Sequence, residues 1–166
     1  SYVIGTLSDD FAVSGRVVLN GRDITDLAPE QRRVGILFQD ELLFPHLSVG
    51  ENLAFGLRAT VKGRAERKSQ IEAALDDIGL NGFASRDPET LSGGQKARVA
   101  LMRMLLSGPQ ALLLDEPFSR LDTERRDQVR SLVFDQARAK GLPVLLVTHD
   151  HADAEAANGR VHRLSD

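Results

Sequence analysis

The sequence predicts an α/β protein built on a parallel sheet. Short, wholly apolar runs such as Val34-Gly35-Ile36-Leu37-Phe38, Ala111-Leu112-Leu113-Leu114 and Val144-Leu145-Leu146-Val147 alternate with longer stretches of helical period. Polar motifs follow directly on the apolar runs. Strands covered on both faces read as continuous apolar runs, and parallel strands need crossovers that helices supply.

The elements follow in order. Tyr2, Val3, Ile4 and Leu7 have the spacing of an amphipathic helix near its end. Arg16 to Leu19 is a short strand, and Asn20-Gly21 is a tight-turn signal. Pro29 to Arg32 predicts one helical turn, and Val34 to Phe38 a buried strand that runs into Gln39. Ser48 with Glu51 three positions on forms a capping box, which starts a helix. Glu66 to Ile78 has apolar residues at Ile71, Ala74, Leu75 and Ile78, a helical period that Gly79 stops. Lys96 to Leu106 is a further helix, closed by Ser107-Gly108-Pro109. The strand Ala111 to Leu114, the helix Thr123 to Lys140, the strand Pro143 to Val147 and the short helix His151 to Ala157 come next. Val161 to Leu164 predicts an edge strand. In such sheets ligands bind beyond the carboxyl ends of the strands.

Bulk properties bound the function. The chain has 166 residues, enough for one domain with a sizeable core, and is 42% hydrophobic and 27% charged. A formal net charge of -3 and a pI of about 5.8 give no overall field for polyanions, which argues against nucleic acid as a partner. The densest basic stretch, Lys62 to Lys68, also holds Glu66 and reads as a solvated helix face. With no cysteine, a disulfide framework and thiolate chemistry are excluded. No apolar run approaches the roughly 18 residues of a membrane span, and Ser1-Tyr2-Val3-Ile4-Gly5 has neither the basic region nor the cleavage site of a signal peptide. Work at a membrane would require docking onto a partner that spans it.

Several motifs can carry chemistry. In Leu91-Ser92-Gly93-Gly94-Gln95 two glycines permit close backbone approach, and exposed N–H groups at the start of the following helix attract phosphate. Ser92 adds a hydroxyl and can equally serve as a helix cap. Asp115 ends an apolar strand and is placed to hold Mg²⁺, while its neighbour Glu116 can polarise a water. The bland alternative is an acidic turn before Pro117. His149, after the strand ending at Val147, can contact a γ-phosphate or be a loop histidine. Gln39 can be a water or metal ligand. His149, Asp150 and His151 are too close together in an extended segment to converge on a metal. His46 and His162 have no partner pattern and read as surface or packing residues.

Taken in order, Gln39, Leu91 to Gln95, Leu112 to Glu116, Ser119 to Asp122 and His149 resemble the nucleotide-binding domains of ABC transporters. Leu91-Ser92-Gly93-Gly94-Gln95 matches the family signature letter for letter. Residues 111 to 116 match its Walker B strand, Gln39 its Q-loop, Ser119 to Asp122 its D-loop and His149 its switch histidine. Arg16-Val17-Val18-Leu19-Asn20-Gly21 and Arg33 to Asp40 look most like importer-type subunits. The resemblance implies a P-loop NTPase-like parallel sheet core, incomplete at its N-terminal side, with an inserted α-helical subdomain. Residues 1–39 and 108–166 would form the RecA-like ATPase core, and residues 40–107 the helical signature subdomain.

The implied activity is ATP hydrolysis that drives solute transport, with ATP and Mg²⁺ bound and two domains facing each other head to tail. Glu116 and His149 would be catalytic, and Asp115 with Gln39 would bind Mg²⁺. Ser92, Gly93, Gly94 and Gln95 of one domain would contact nucleotide held by the other, with Asp122 coupling the two sites. Partners would be transmembrane permease subunits and a second nucleotide-binding domain, placing the protein in the cytoplasm, peripheral on the inner face of the membrane. Leu42-Leu43-Phe44-Pro45 is a candidate permease-docking stretch, or else core packing of the insert. Soluble ABC ATPases of DNA maintenance share the signature, but those of the long-armed type carry a long coiled coil between the Gln39-like and Leu91-like motifs. That interval here has no sustained heptads.

One expected motif is not found. A phosphate-binding loop reads G-x-x-x-x-G-K-[ST], and Lys62, Lys68, Lys96 and Lys140 are preceded by Val, Arg, Gln and Ala. In the family this loop lies upstream of the segment that begins here at Ser1, together with the aromatic residue that stacks on adenine. The expectation is a chain truncated after that loop, one sheet position unfilled, with weak nucleotide binding and no hydrolysis by itself, a non-catalytic interaction fragment in effect.

Overall fold

A computed structural model of the chain describes residues 3–6, 14–40 and 42–163. Its centre is a parallel three-stranded sheet, β3 (Val34–Leu37), β4 (Ala111–Asp115) and β5 (Val144–Val147), with β4 in the middle. Leu37 is level with Leu114, and Asp115 with Val147, so all three strands end at one edge. Leu112 and Leu114 are fully buried, as expected for the apolar run that contains them.

Ahead of the sheet, β1 (Val18–Leu19) and β2 (Arg22–Asp23) form an antiparallel hairpin turned by Asn20-Gly21, both at positive φ. The helical turn α1 (Pro29–Arg32) then leads into β3.

Among the described residues, three α-helices and a single 3-10 turn (Pro88–Thr90) lie between β3 and β4. The predicted capping box is present at α2 (Val49–Gly56): Glu51 N–H donates to Ser48 Oγ, and Ser48 N–H donates to the Glu51 carboxylate. Next is α3 (Arg64–Asp77), which starts two residues before the predicted Glu66 and is followed by Gly79 at φ 66°. The next helix, α4 (Gly93–Leu106), starts three residues before the predicted Lys96, because Ser92 caps it and Gly93 and Gly94 join its first turn. Leu53, Leu75, Val99 and Leu101 pack into one core with Leu112, Leu114 and Phe118. Each such side chain contributes about 1.5–3 kcal/mol on burial. Asn52 is also fully buried and satisfied: it accepts from Phe44 N–H and donates to the carbonyls of Phe44, Leu47 and Ser48, which fixes the loop after β3.

Beyond β4, α5 (Thr123–Ala139) packs on α4 through Val129 and Val133, both fully buried, and α6 (His151–Ala157) packs on α5. Three expectations are corrected. Residues 161–163 form no strand: the chain leaves α6 through Asn158 in the left-handed region and Val161 is exposed (Leu164 lies outside the described residues). The sheet is also not covered throughout, because Val144, Leu145 and Val147 of β5 are exposed. At the N-terminal side, 3–5 form a turn rather than helix, and Tyr2 and Leu7 lie outside the described residues. Among the described residues no helix is long and apolar enough to cross a membrane.

Candidate functional site

The parallel sheet delivers three of the sequence motifs to one edge. Gln39 follows β3, Asp115 and Glu116 end β4, and His149 follows β5. Gln39, Asp115 and Glu116 line one cleft of about 280 Å³ together with Phe38, Asp40 and Leu42. Its carboxylates make the cleft acidic, and Asp40 is drawn into an ion pair with Arg120. Asp115 is exposed, and no described cation pairs with it. Its carboxylate and the Gln39 amide oxygen are hard donors of the kind Mg²⁺ takes. No cluster of three or more His, Cys, Asp or Glu residues able to hold a metal occurs among the described residues.

Glu116 has a left-handed backbone, φ 47°, rare for a residue with a side chain. Its N–H donates to Val147 C=O at 2.9 Å, and its own carbonyl accepts from Ser119 N–H at 3.3 Å and Ser119 Oγ at 2.9 Å. This turn aims the side chain across to β5. There Glu116 Oε1 accepts from both the backbone N–H of His149, at 3.1 Å, and His149 Nδ1, at 2.7 Å. The hydrogen bond and charge of Glu116 raise the His149 pKa above its ordinary value.

His149 is held from behind. Asp150 caps α6 by accepting from Ala152 N–H at 2.8 Å and pairs with Arg126 of α5 at 2.6 Å. The bond from Ala152 N–H holds the Asp150 carboxyl below the usual range. Deeper in, Asp153 is buried and pairs with Arg130 at 2.9 Å, while Thr148 Oγ1 donates to it. Sequence reasoning missed Arg126 and Asp150. The only signals were an Arg one turn beyond the Asp122 cap and an Asp at the start of a helix.

Leu91 to Gln95 lies elsewhere. Ser92 and Gln95 form a capping box: Gln95 N–H donates to Ser92 Oγ at 3.4 Å, and Ser92 N–H to Gln95 Oε1 at 2.9 Å. The helix start expected to attract phosphate is thus a capped one, and the Gln95 amide oxygen is committed to the cap. Gly93 is exposed, and Gly94 packs against the Arg125 side chain. Asp122 caps α5, accepting from Arg125 N–H at 3.1 Å and pairing with the Arg125 guanidinium. Ser92, Gly93, Gly94 and Asp122 therefore cluster around the starts of α4 and α5, and none of them lines the Gln39–Glu116 cleft.

The model of the ABC transporter family matches residues 1–119. The chain is similar to the uncharacterized ABC transporter ATP-binding protein YnjD of Escherichia coli, 53% identical over 94% of this chain and 71% of the relative. It is also similar to the thiamine import ATP-binding protein ThiQ of Jannaschia sp., 44% identical over 92% of this chain and 67% of the relative. The sulfate/thiosulfate import ATP-binding protein CysA of Mycobacterium bovis is 43% identical over 85% of this chain, which spans 40% of that longer relative. A parallel α/β sheet that gathers these motifs, a family model matching well over half the chain and relatives of this similarity lead to one conclusion: the chain belongs to the ABC transporter family, among its ATP-binding subunits.

Proposed function

We propose that the chain supplies the hydrolytic face of an ATP-driven importer: Glu116 activates water and His149 stands beside it. The single observation that carries this is the pairing of Glu116 with His149 beside Asp115 and Gln39, at the carboxyl edge of a parallel sheet. Glu116 is a general base, which needs only to sit within hydrogen-bond reach of the water it deprotonates. Asp115 and Gln39 would hold Mg²⁺, which when bound would supply positive charge against the transferred phosphoryl group. His149 offers its imidazole toward the same group.

Ser92, Gly93, Gly94 and Gln95, with Asp122, serve nucleotide held by a second copy arranged head to tail. Support comes from their clustering away from the Glu116 cleft, at exposed helix starts where backbone N–H groups favour anions. Residues 1–39 and 108–166 act as the ATPase core and residues 40–107 as the helical unit. Leu42 and Phe55 are exposed beside a cleft of about 370 Å³ that Phe44 and Arg103 also line, which suits docking of an apolar segment of a permease. That partner would hold the protein at the cytoplasmic face of the membrane. The relatives named as thiamine and sulfate/thiosulfate importers support transport, while the solute is the permease's choice.

This chain by itself binds ATP weakly and turns it over negligibly, because none of its lysines stands in a G-x-x-x-x-G-K-[ST] loop. The exposed apolar face of β5 is consistent with a sheet that takes a further strand there. The test is ATP turnover of the chain carrying such a loop on a strand fused ahead of Ser1. Glu116→Gln should lower turnover by about 10²–10⁴-fold. Unchanged turnover removes Glu116 from the role.

A further inference from the structure

We propose that Arg126 is a positioning residue that locks the Glu116 loop to the His149 segment, so that the two side chains face each other before any ligand arrives. The inference deepens the proposed function, since it rests on reading Glu116 and His149 as the working pair.

The geometry is that of one guanidinium joining three parts of the chain. Arg126 projects from the first turn of α5. Its Nε–H donates to Phe118 C=O at 3.1 Å, and its second terminal nitrogen donates to Ser119 C=O at 3.4 Å. Both carbonyls belong to the loop that Glu116 opens. The remaining terminal nitrogen pairs with Asp150 Oδ2 at 2.6 Å, and Asp150 directly follows His149. The other Asp150 oxygen is spent on the α6 cap. A planar fork of fixed donors can hold two backbone carbonyls and a carboxylate together, which a lysine ammonium cannot do with the same geometry.

The link matters because the direct one is weak. His149 is 81% exposed at its side chain, and its bond to Glu116 competes with water. Arg126 and Asp150 are only 25% and 28% exposed, so their tie is better shielded. When Glu116 turns from His149 to a water, the Arg126 bridge keeps the two loops in register. Prepaid orientation of this kind is a major part of enzymatic rate enhancement.

A structural role and a positioning role give opposite signs at His149. The groups that face its imidazole are Glu116 from the β4 loop, Asp150 on its own segment and Arg126 from α5. The positive charge of Arg126 lowers the His149 pKa, so removing that charge alone raises it. Loss of positioning removes His149 from Glu116 and lowers it.

The experiment is an imidazole ¹⁵N NMR titration of His149 in this 166-residue chain, with Arg126→Gln made alone and together with Glu116→Gln. The expected result is that Arg126→Gln lowers the His149 pKa toward its ordinary value, and that Glu116→Gln then has little further effect. A His149 pKa that rises or stays, with the full Glu116→Gln effect retained, overturns the proposal. If circular dichroism shows Arg126→Gln unfolded, Arg126→Lys takes its place. Lysine keeps the charge without the fork, so a weakened effect of Glu116→Gln supports the proposal and an undiminished one overturns it. No nucleotide is needed, so failure of ATP turnover and failure of this link are separate results.

Discussion

At the scale of single residues, Glu116 combines a costly backbone with a specific contact. A left-handed conformation in a non-glycine residue costs about 1–3 kcal/mol, and it persists here because Val147 C=O and Ser119 clamp the turn. The strain turns the side chain toward His149 instead of along β4. A pH dependence follows. The folded-state pKa of His149 is raised by Glu116, so this contact stabilises the fold fully below the unfolded histidine pKa and is lost as pH rises through the higher folded value. Denaturation of the wild type and Glu116→Gln across pH should show the wild-type advantage at acidic pH and its disappearance at alkaline pH. A pH-independent difference would contradict this. Gln39, Asp115, Glu116 and His149 were legible in the sequence because each directly follows an apolar strand, and parallel strands share one carboxyl edge. Arg126 and Asp150 were not, since their partnership spans 24 positions and no local pattern encodes it.

At the scale of elements, caps explain both the successes and the errors. Ser48 with Glu51 marked the start of α2 correctly, whereas at Ser92 a cap was one of two readings and its box with Gln95 was not seen, so the helix was begun at Lys96, three residues late. Periodicity located α3 and α5 within two residues, and failed at 161–163, where a short apolar-polar alternation does not by itself make a strand. The fit of α2 on α4 rests on a glycine that the sequence did not single out. A methyl group at Gly56 would fall within the radius of the Arg103 backbone carbonyl, and backbone cannot rotate aside. Gly56→Ala should therefore destabilise the chain by about 1–3 kcal/mol despite its better helix propensity. Thermal unfolding reads this directly, and an unchanged or raised Tm would show that the two helices can separate without cost.

At the scale of the whole molecule, the central strand β4 is well covered, with Leu112 and Leu114 fully buried, and the edge strand β5 is open, with Leu145 51% and Val147 49% exposed. The apolar run alone predicted a covered strand, while the expectation of an unfilled sheet position predicted exposed apolar surface, and β5 is exposed. An open apolar edge recruits other strands. The chain alone should self-associate, and Leu145→Lys should shift its sedimentation toward the monomer. A wild-type chain that sediments as a monomer at high micromolar concentration would contradict this. The central proposal is that these residues form the hydrolytic face of a nucleotide site, whose phosphates are gripped by a G-x-x-x-x-G-K-[ST] loop in which none of the four lysines here stands. The most direct measurement is calorimetric titration of ATP with Mg²⁺ into the 166-residue chain and into the same chain with a strand and G-x-x-x-x-G-K-[ST] loop fused ahead of Ser1. The expected result is no saturable binding by the first and saturable binding by the second, weakened by Asp115→Asn. Equally tight binding by both, indifferent to Asp115, would contradict the account.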